Sequence, residues 1–151
     1  MAVTIGDRAP DFTLPDQEGT PFALNHVLGR KTIVLYFYPQ DETPGCTAEA
    51  CSFRDNMAEF TASGVQVIGV SQDSVDSHSR FAARHQLNFP LLSDTGNKVR
   101  ALYGVKPALF GLWPGRKTYI IDKQGIIRYI FDYQLRAKKH VAEALKTLAS
   151  A

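Results

Sequence analysis

Two cysteines, Cys46 and Cys51, lie five residues apart in the string PGCTAEAC. The bland reading is a pair of buried apolar thiols, but position argues for chemistry at Cys46. It follows a strand-like run and a Pro/Gly loop, and it opens a helix. The first turn of a helix carries free backbone N–H groups and a partial positive charge, and a thiolate is stabilised there. A free cysteine with a pKa near ~8.5 is only about 3% thiolate at neutral pH. Lowering the pKa to about 6 makes it about 90% thiolate, which needs roughly 3.4 kcal/mol. The helix terminus supplies ~0.3–2 kcal/mol. A guanidinium about 4 Å away adds up to ~4 kcal/mol at an effective dielectric near 20. A reactive Cys46 therefore requires an arginine partner, and spacing alone does not say which arginine.

The elements that must position this thiol are readable. Thr32 to Tyr38, TIVLYFY, is rich in β-branched and aromatic residues and predicts a strand that Pro39 stops. The polar QDETPG follows as a loop. A helix is expected from about Cys46 to Ala62, because Ala50, Phe53, Met57 and Phe60 recur at three and four; Gly64 suits its C-terminal stop. Val65 to Val70 reads as a second buried strand. A helix over Val75 to His85 with Ser74 as cap follows, then a short strand, Phe89 to Leu92, and a short helix, Asn97 to Tyr103. Lys117 to Asp122 and Ile126 to Phe131 form an antiparallel hairpin around Lys123-Gln124-Gly125. A helix from about Ala137 to Leu148 closes the chain, with Val141, Leu145 and Leu148 on one face. The βαβ first half implies parallel neighbours and a right-handed crossover, and the hairpin adds antiparallel strands. The expected fold is α/β and thioredoxin-like: a mixed central sheet with helices on both faces. Phe12 to Leu14 and Pro21 to Leu24 predict an N-terminal hairpin extension.

Composition fits one domain over residues 1–151. Apolar residues make up 44% and charged residues 21%, as in a globular chain. Seventeen basic against fifteen acidic side chains leave a net charge of +2, which gives no electrostatic case for nucleic acid or an anionic membrane. No run approaches the roughly 20 apolar residues of a membrane helix. The start, MAVTIGDRAPDF, lacks the order of a signal peptide and the Arg/Ser richness of a transit peptide. A soluble, cytoplasmic protein is expected, unless a leader was trimmed.

Pro39, Thr43 and Cys46 spell P-x-x-x-T-x-x-C, and YFYPQDETPGCTAEACSFRD resembles the Q-type peroxiredoxins, also called bacterioferritin comigratory proteins. GDRAPDFTLPDQEG is similar to the opening of that family, and FGLWPGRKTYIIDKQGIIRYIF to its cyanobacterial and plant branch. The likeness runs through essentially the whole chain. It implies a thioredoxin-dependent peroxidase acting on hydrogen peroxide and alkyl hydroperoxides. Cys46 is implied as the peroxidatic cysteine, passing through a sulfenic acid, and Cys51 as the resolving cysteine that closes an intramolecular disulfide. Thr43 is implied as the hydroxyl that hydrogen-bonds thiolate and peroxide, and Pro39 as the shield of the sulfur. Arg116 is implied as the arginine that completes the site, with Glu49 orienting it. Gln40 departs from the lysine often found at its position, which touches surface charge only. The resemblance also implies a monomer, and plant relatives are chloroplast proteins made with a leader. No metal or flavin cofactor is called for, since a thiolate is itself a sufficient nucleophile. Donors aimed at the departing oxygen stabilise the transition state.

Each role has a plainer alternative. Thr43 can merely cap the helix, Pro39 can merely end the strand, Glu49 can decorate the helix dipole, and Arg116 can be a solvated surface charge. His26, His78, His85 and His140 sit at no metal-ligand spacing and read as structural or surface residues. Phe110 and Trp113 would form an apolar wall near the site or simply pack. A disulfide reductase is the weaker enzymatic reading, because C-x-x-C is absent. A redox-sensing interaction protein is the non-enzymatic one.

Overall fold

The computed structural model describes residues 3–105, 115–132 and 137–149. The expected apolar wall of Phe110 and Trp113 lies outside them. Among the described residues, seven strands and five helices run in the order β1 (Thr13–Pro15), β2 (Pro21–Ala23), β3 (Thr32–Phe37), α1 (Pro44–Asp55), α2 (Met57–Ala62), β4 (Val65–Ser71), α3 (Val75–His85), β5 (Leu91–Ser93), α4 (Lys98–Tyr103), β6 (Lys117–Ile121), β7 (Ile127–Phe131) and α5 (Ala137–Ala149). A 3-10 turn, Leu24–His26, follows β2.

The main sheet has the order β5-β4-β3-β6-β7. β3 pairs parallel with β4, and β4 with β5, while β3–β6 and β6–β7 are antiparallel. This is the mixed thioredoxin-like sheet that the element order predicts. β1 and β2 form the separate N-terminal hairpin. Alternation along β3 divides the core. Val34 and Tyr36 face one layer with Cys46, Ala50 and Phe53 of α1, Phe81 of α3 and Val141 of α5. Ile33, Leu35 and Phe37 face the other, with Leu24, Tyr103 and Tyr119. The period of two in a strand thus chooses which layer holds the sulfur.

Two elements depart from expectation. The single helix predicted over 46–62 is two, broken at Asn56. There the Asn56 side-chain amide donates to Ser52 O at 2.8 Å, a local bond that competes with the helical ladder. The helix also begins earlier, at Pro44 in the first helical position, where a missing N–H costs nothing. The third strand starts at Leu91, just after Pro90, whose nitrogen cannot donate to a ladder.

Candidate active site

α1 opens at Thr43, whose backbone is extended (φ −82°, ψ 150°). The first helical bond runs from Thr47 N–H to Thr43 O at 2.8 Å, so Cys46 sits in the first turn, where backbone N–H groups precede the ladder. Its side chain is 2% exposed. Both cysteines are free thiols. Cys51 lies further along the same helix and is half-buried.

The arginine that the fold places beside Cys46 is Arg116, immediately before β6. Its Nη2 donates to Cys46 Sγ at 3.2 Å, and its Nη1 pairs with Glu49 Oε1. All three side chains are buried. The alternatives for this position are engaged elsewhere. Arg54 donates to His85 O at 2.6 Å, and Arg128 pairs with Asp122 on the surface. Glu49 is not a surface decoration of the helix dipole: it is fully buried. Burial pushes its carboxyl up to about 8, with Arg116 pulling the other way. Its Oε2 has no hydrogen-bond partner among the described residues and lies 3.9 Å from His140 Nδ1.

Pro39 is buried at the end of the β3 run. Thr43 Oγ1 donates to Gln40 O at 2.8 Å and makes no cap bond. In this state its proton is spent on the loop rather than on the sulfur, and its lone pairs stay open.

Sequence reasoning missed three supporting groups. Arg100, in α4, is buried; its Nη2 donates to Tyr38 O at 2.9 Å and its Nη1 to Gly115 O at 2.7 Å. It thereby ties the residue before Pro39 to the residue before Arg116. No local pattern marks it, because its partners lie 62 and 15 positions away. His78 is buried beside Asp41, and the ligand atoms of Asp41, Asp73 and His78 lie within 4.8 Å of one another, a juxtaposition that linear spacing does not reveal. Those atoms already hydrogen-bond one another, the loop backbone and nearby hydroxyls. His140 is buried on α5, with Nδ1 2.6 Å from Thr118 Oγ1.

A buried thiol at a helix start, held by a buried arginine, is arranged to attack an electrophile and to stabilise charge that develops beside it. Known proteins resemble this chain over most of its length. Residues 5–130 match the AhpC/TSA family. A chloroplastic peroxiredoxin Q of Sedum lineare is 51% identical over 98% of this chain and 79% of its own. Among solved structures, the peroxidoxin BcpB of Mycobacterium tuberculosis superposes with a TM-score of 0.90 at 39% identity, covering 98% of this chain and 97% of that one. The bacterioferritin comigratory protein of Xanthomonas campestris, studied for alkyl peroxide reduction, gives 0.83 at 30% identity over 92% and 90%. The cytoplasmic expectation is corrected here, because curated relatives at 50–51% identity are named chloroplastic and point away from the cytoplasm. On the match across residues 5–130 and the identity to peroxiredoxin Q, the chain belongs to the AhpC/TSA family and, within it, to the Q-type peroxiredoxins, which are thiol-dependent peroxidases.

Proposed function

We propose that this peroxiredoxin reduces hydrogen peroxide and alkyl hydroperoxides through Cys46, closes a Cys46–Cys51 disulfide within one chain, and is recycled by thioredoxin. The observation that carries the reading is Arg116 Nη2 at 3.2 Å from Cys46 Sγ in the first turn of α1. The Cys46 thiolate supplies an electron pair to one peroxide oxygen; the S–O bond forms as O–O breaks. The departing oxygen takes a proton and leaves as water or alcohol. Arg116 and the first-turn N–H of Cys46 are the donors that face the charge that develops. Thr43 turns its hydroxyl from Gln40 O to the reacting oxygens, and Pro39 keeps bulk water from the sulfur. The Cys51 thiolate then attacks the sulfenic sulfur; S–S forms, and hydroxide leaves and is protonated to water. A thioredoxin dithiol attacks the disulfide and departs oxidised, returning both cysteines to thiols.

The X. campestris relative, studied for alkyl peroxide reduction, supports organic hydroperoxides as substrates. The chloroplastic relatives support a chloroplast setting. Residues 1–151 act as a single domain and a monomer, with no nucleic acid or membrane partner; no helix among the described residues is long and apolar enough to cross a membrane. The test is steady-state NADPH oxidation with peroxide, thioredoxin and its reductase. Turnover is expected for the wild type and lost in Cys46→Ser. Cys51→Ser should react once with peroxide and then gain mass as sulfinic or sulfonic acid. Wild-type turnover by either variant removes that cysteine from the scheme.

A further inference from the structure

The C-terminal helix delivers a polar side chain to the back of this site. α5 packs on α1, and among its buried residues, Val141 and Ala144 join the apolar layer while His140 does not. His140 Nδ1 instead meets Thr118 Oγ1 at 2.6 Å and stands 3.9 Å from Glu49 Oε2. Thr118 lies two residues beyond Arg116 and pairs with Tyr36, so it rises from the sheet face that holds the sulfur.

Arg116 meets Glu49 Oε1 with Nη1 and Cys46 Sγ with Nη2. A single guanidinium cannot neutralise two anions in a buried site. Guanidinium nitrogens only donate, so Oε1 must be a bare acceptor. A proton on Glu49 therefore sits on Oε2, the oxygen that faces His140. Burial favours that protonated form, pushing the carboxyl up to about 8. A hydroxyl both donates and accepts, so Thr118 can hold the His140 ring with Nδ1 either bare or protonated. Among the described residues, the other ionisable groups acting at this place are Cys46 on α1, Arg116 before β6 and Tyr36 on β3, whose hydroxyl feels the Glu49 and Cys46 charges.

We propose that His140, fixed by Thr118, is a positioning residue for the peroxide step: it is the polar group that faces the second oxygen of Glu49 at 3.9 Å, and so decides how Arg116 is shared between Glu49 and the Cys46 sulfur. With the imidazole facing Oε2, Glu49 orients the guanidinium as a neutral acceptor, and the positive charge serves the thiolate. With the imidazole gone, Glu49 ionises and competes for the same charge. The inference rests on Cys46 being the attacking thiol.

The experiment is the single-turnover rate of thiol oxidation by hydrogen peroxide in the full chain at neutral pH. His140→Leu and the isosteric Thr118→Val are each expected to slow it about tenfold. His140→Asn, whose amide reaches the Nδ1 position, and Thr118→Ser are expected to stay within about twofold of wild type. In a Glu49→Gln background His140→Leu should cost no further rate, because the histidine acts through Glu49. Should His140→Leu not fold, the two Thr118 variants carry the test. Cys46→Ser is the control: fast peroxide consumption by it would defeat the underlying reading instead. With that control silent, wild-type rates in His140→Leu and Thr118→Val overturn the inference. So does a tenfold loss that persists in the Glu49→Gln background, or an Asn variant as slow as Leu.

Discussion

Two buried carboxylates flank the reactive sulfur in sequence, and they are treated in opposite ways. Asp41, five residues before Cys46, accepts from Tyr38 Oη at 2.6 Å, Ser77 Oγ at 2.9 Å and His78 Nδ1 at 2.7 Å. The network continues outward: His78 Nε2 reaches Leu92 O at 3.1 Å, and Asp41 N–H donates to Asp73 at 2.8 Å. Glu49, three residues after Cys46, has Arg116 on one oxygen and no hydrogen bond on the other among the described residues. A fully satisfied buried network rigidifies, whereas a half-satisfied one holds tension that chemistry can use. The Asp41 cluster fixes where the active-site loop leaves β3. The Glu49 cluster tunes what happens at the sulfur.

Breaking each cluster should therefore produce different damage. Asp41→Ala strips the acceptor from two buried donors, Tyr38 and His78, and from the half-buried Ser77, and is expected to cost about 3–5 kcal/mol of stability. The protein that remains folded should still oxidise Cys46 within a few-fold of the normal rate. Arg116→Ala is expected to do the reverse. It removes a donor at the developing charge, slowing peroxide reaction about 10²–10³-fold, while Glu49 left behind can stay protonated and spare the fold. Denaturant midpoints and single-turnover rates on both variants measure this crossing. Equal stability losses would erase the contrast.

A smaller effect separates the clusters by pH. The folded protein holds a proton on Glu49 up to about 8, and the unfolded chain releases it near 4.5. Between those values the folded state binds more protons, so the contribution of Glu49 to stability falls as pH rises and levels off above about 8. Glu49→Gln abolishes that dependence. Its stability relative to wild type should climb between pH 5 and pH 8.5, and its peroxide rate should lack the alkaline decline that an ionised Glu49 causes by competing for Arg116. A stability gap that stays constant over that range would count against a protonated Glu49.

What the sequence disclosed depended on the range of the interaction. The β-branched and aromatic run Thr32–Phe37 and the Pro44-Gly45-Cys46 junction are local signals, and the strand and, to within a turn, the helix start followed from them. The break at Asn56 was hidden because the apolar spacing of Ala50, Phe53, Met57 and Phe60 runs straight through it. Local physics required an arginine but did not choose one; Arg116 emerged from the family pattern and the fold placed it. Arg100, His78 and His140 carried no local signal at all. Each is a polar residue in a helix with otherwise ordinary spacing, and only the packing of α3, α4 and α5 buries it.

The smallest change expected is also the most local. Cys46 and Cys51 share α1, where five residues turn the chain through 500° and rise about 7.5 Å. Their Cα atoms are then about 8.6 Å apart and their side chains point about 140° away from each other. A disulfide needs roughly 4.4–6.8 Å, so the bond cannot form on the intact helix. One end must give. The later part of α1 is held by Phe53, whose ring stacks on Tyr36 at 4.6 Å, and by Arg54 on His85 O. The loop before it is held by Asp41. Between these anchors lie Pro44 and Gly45, a proline without an N–H and a residue without a side chain to pack. Oxidation should unwind the turns from Pro44 to Cys51 and leave both anchors in place, exposing the sulfurs to an attacking dithiol. Amide exchange on the reduced and disulfide forms reads this directly. Protection is expected to fall at Gly45 to Cys51 and stay unchanged at Tyr38, Asp41 and His78. Equal protection across α1, with the Cys46–Cys51 bond confirmed by mass, would sink the unwinding. Loss at Asp41 and His78 as well would show that the satisfied cluster is not a fixed hinge.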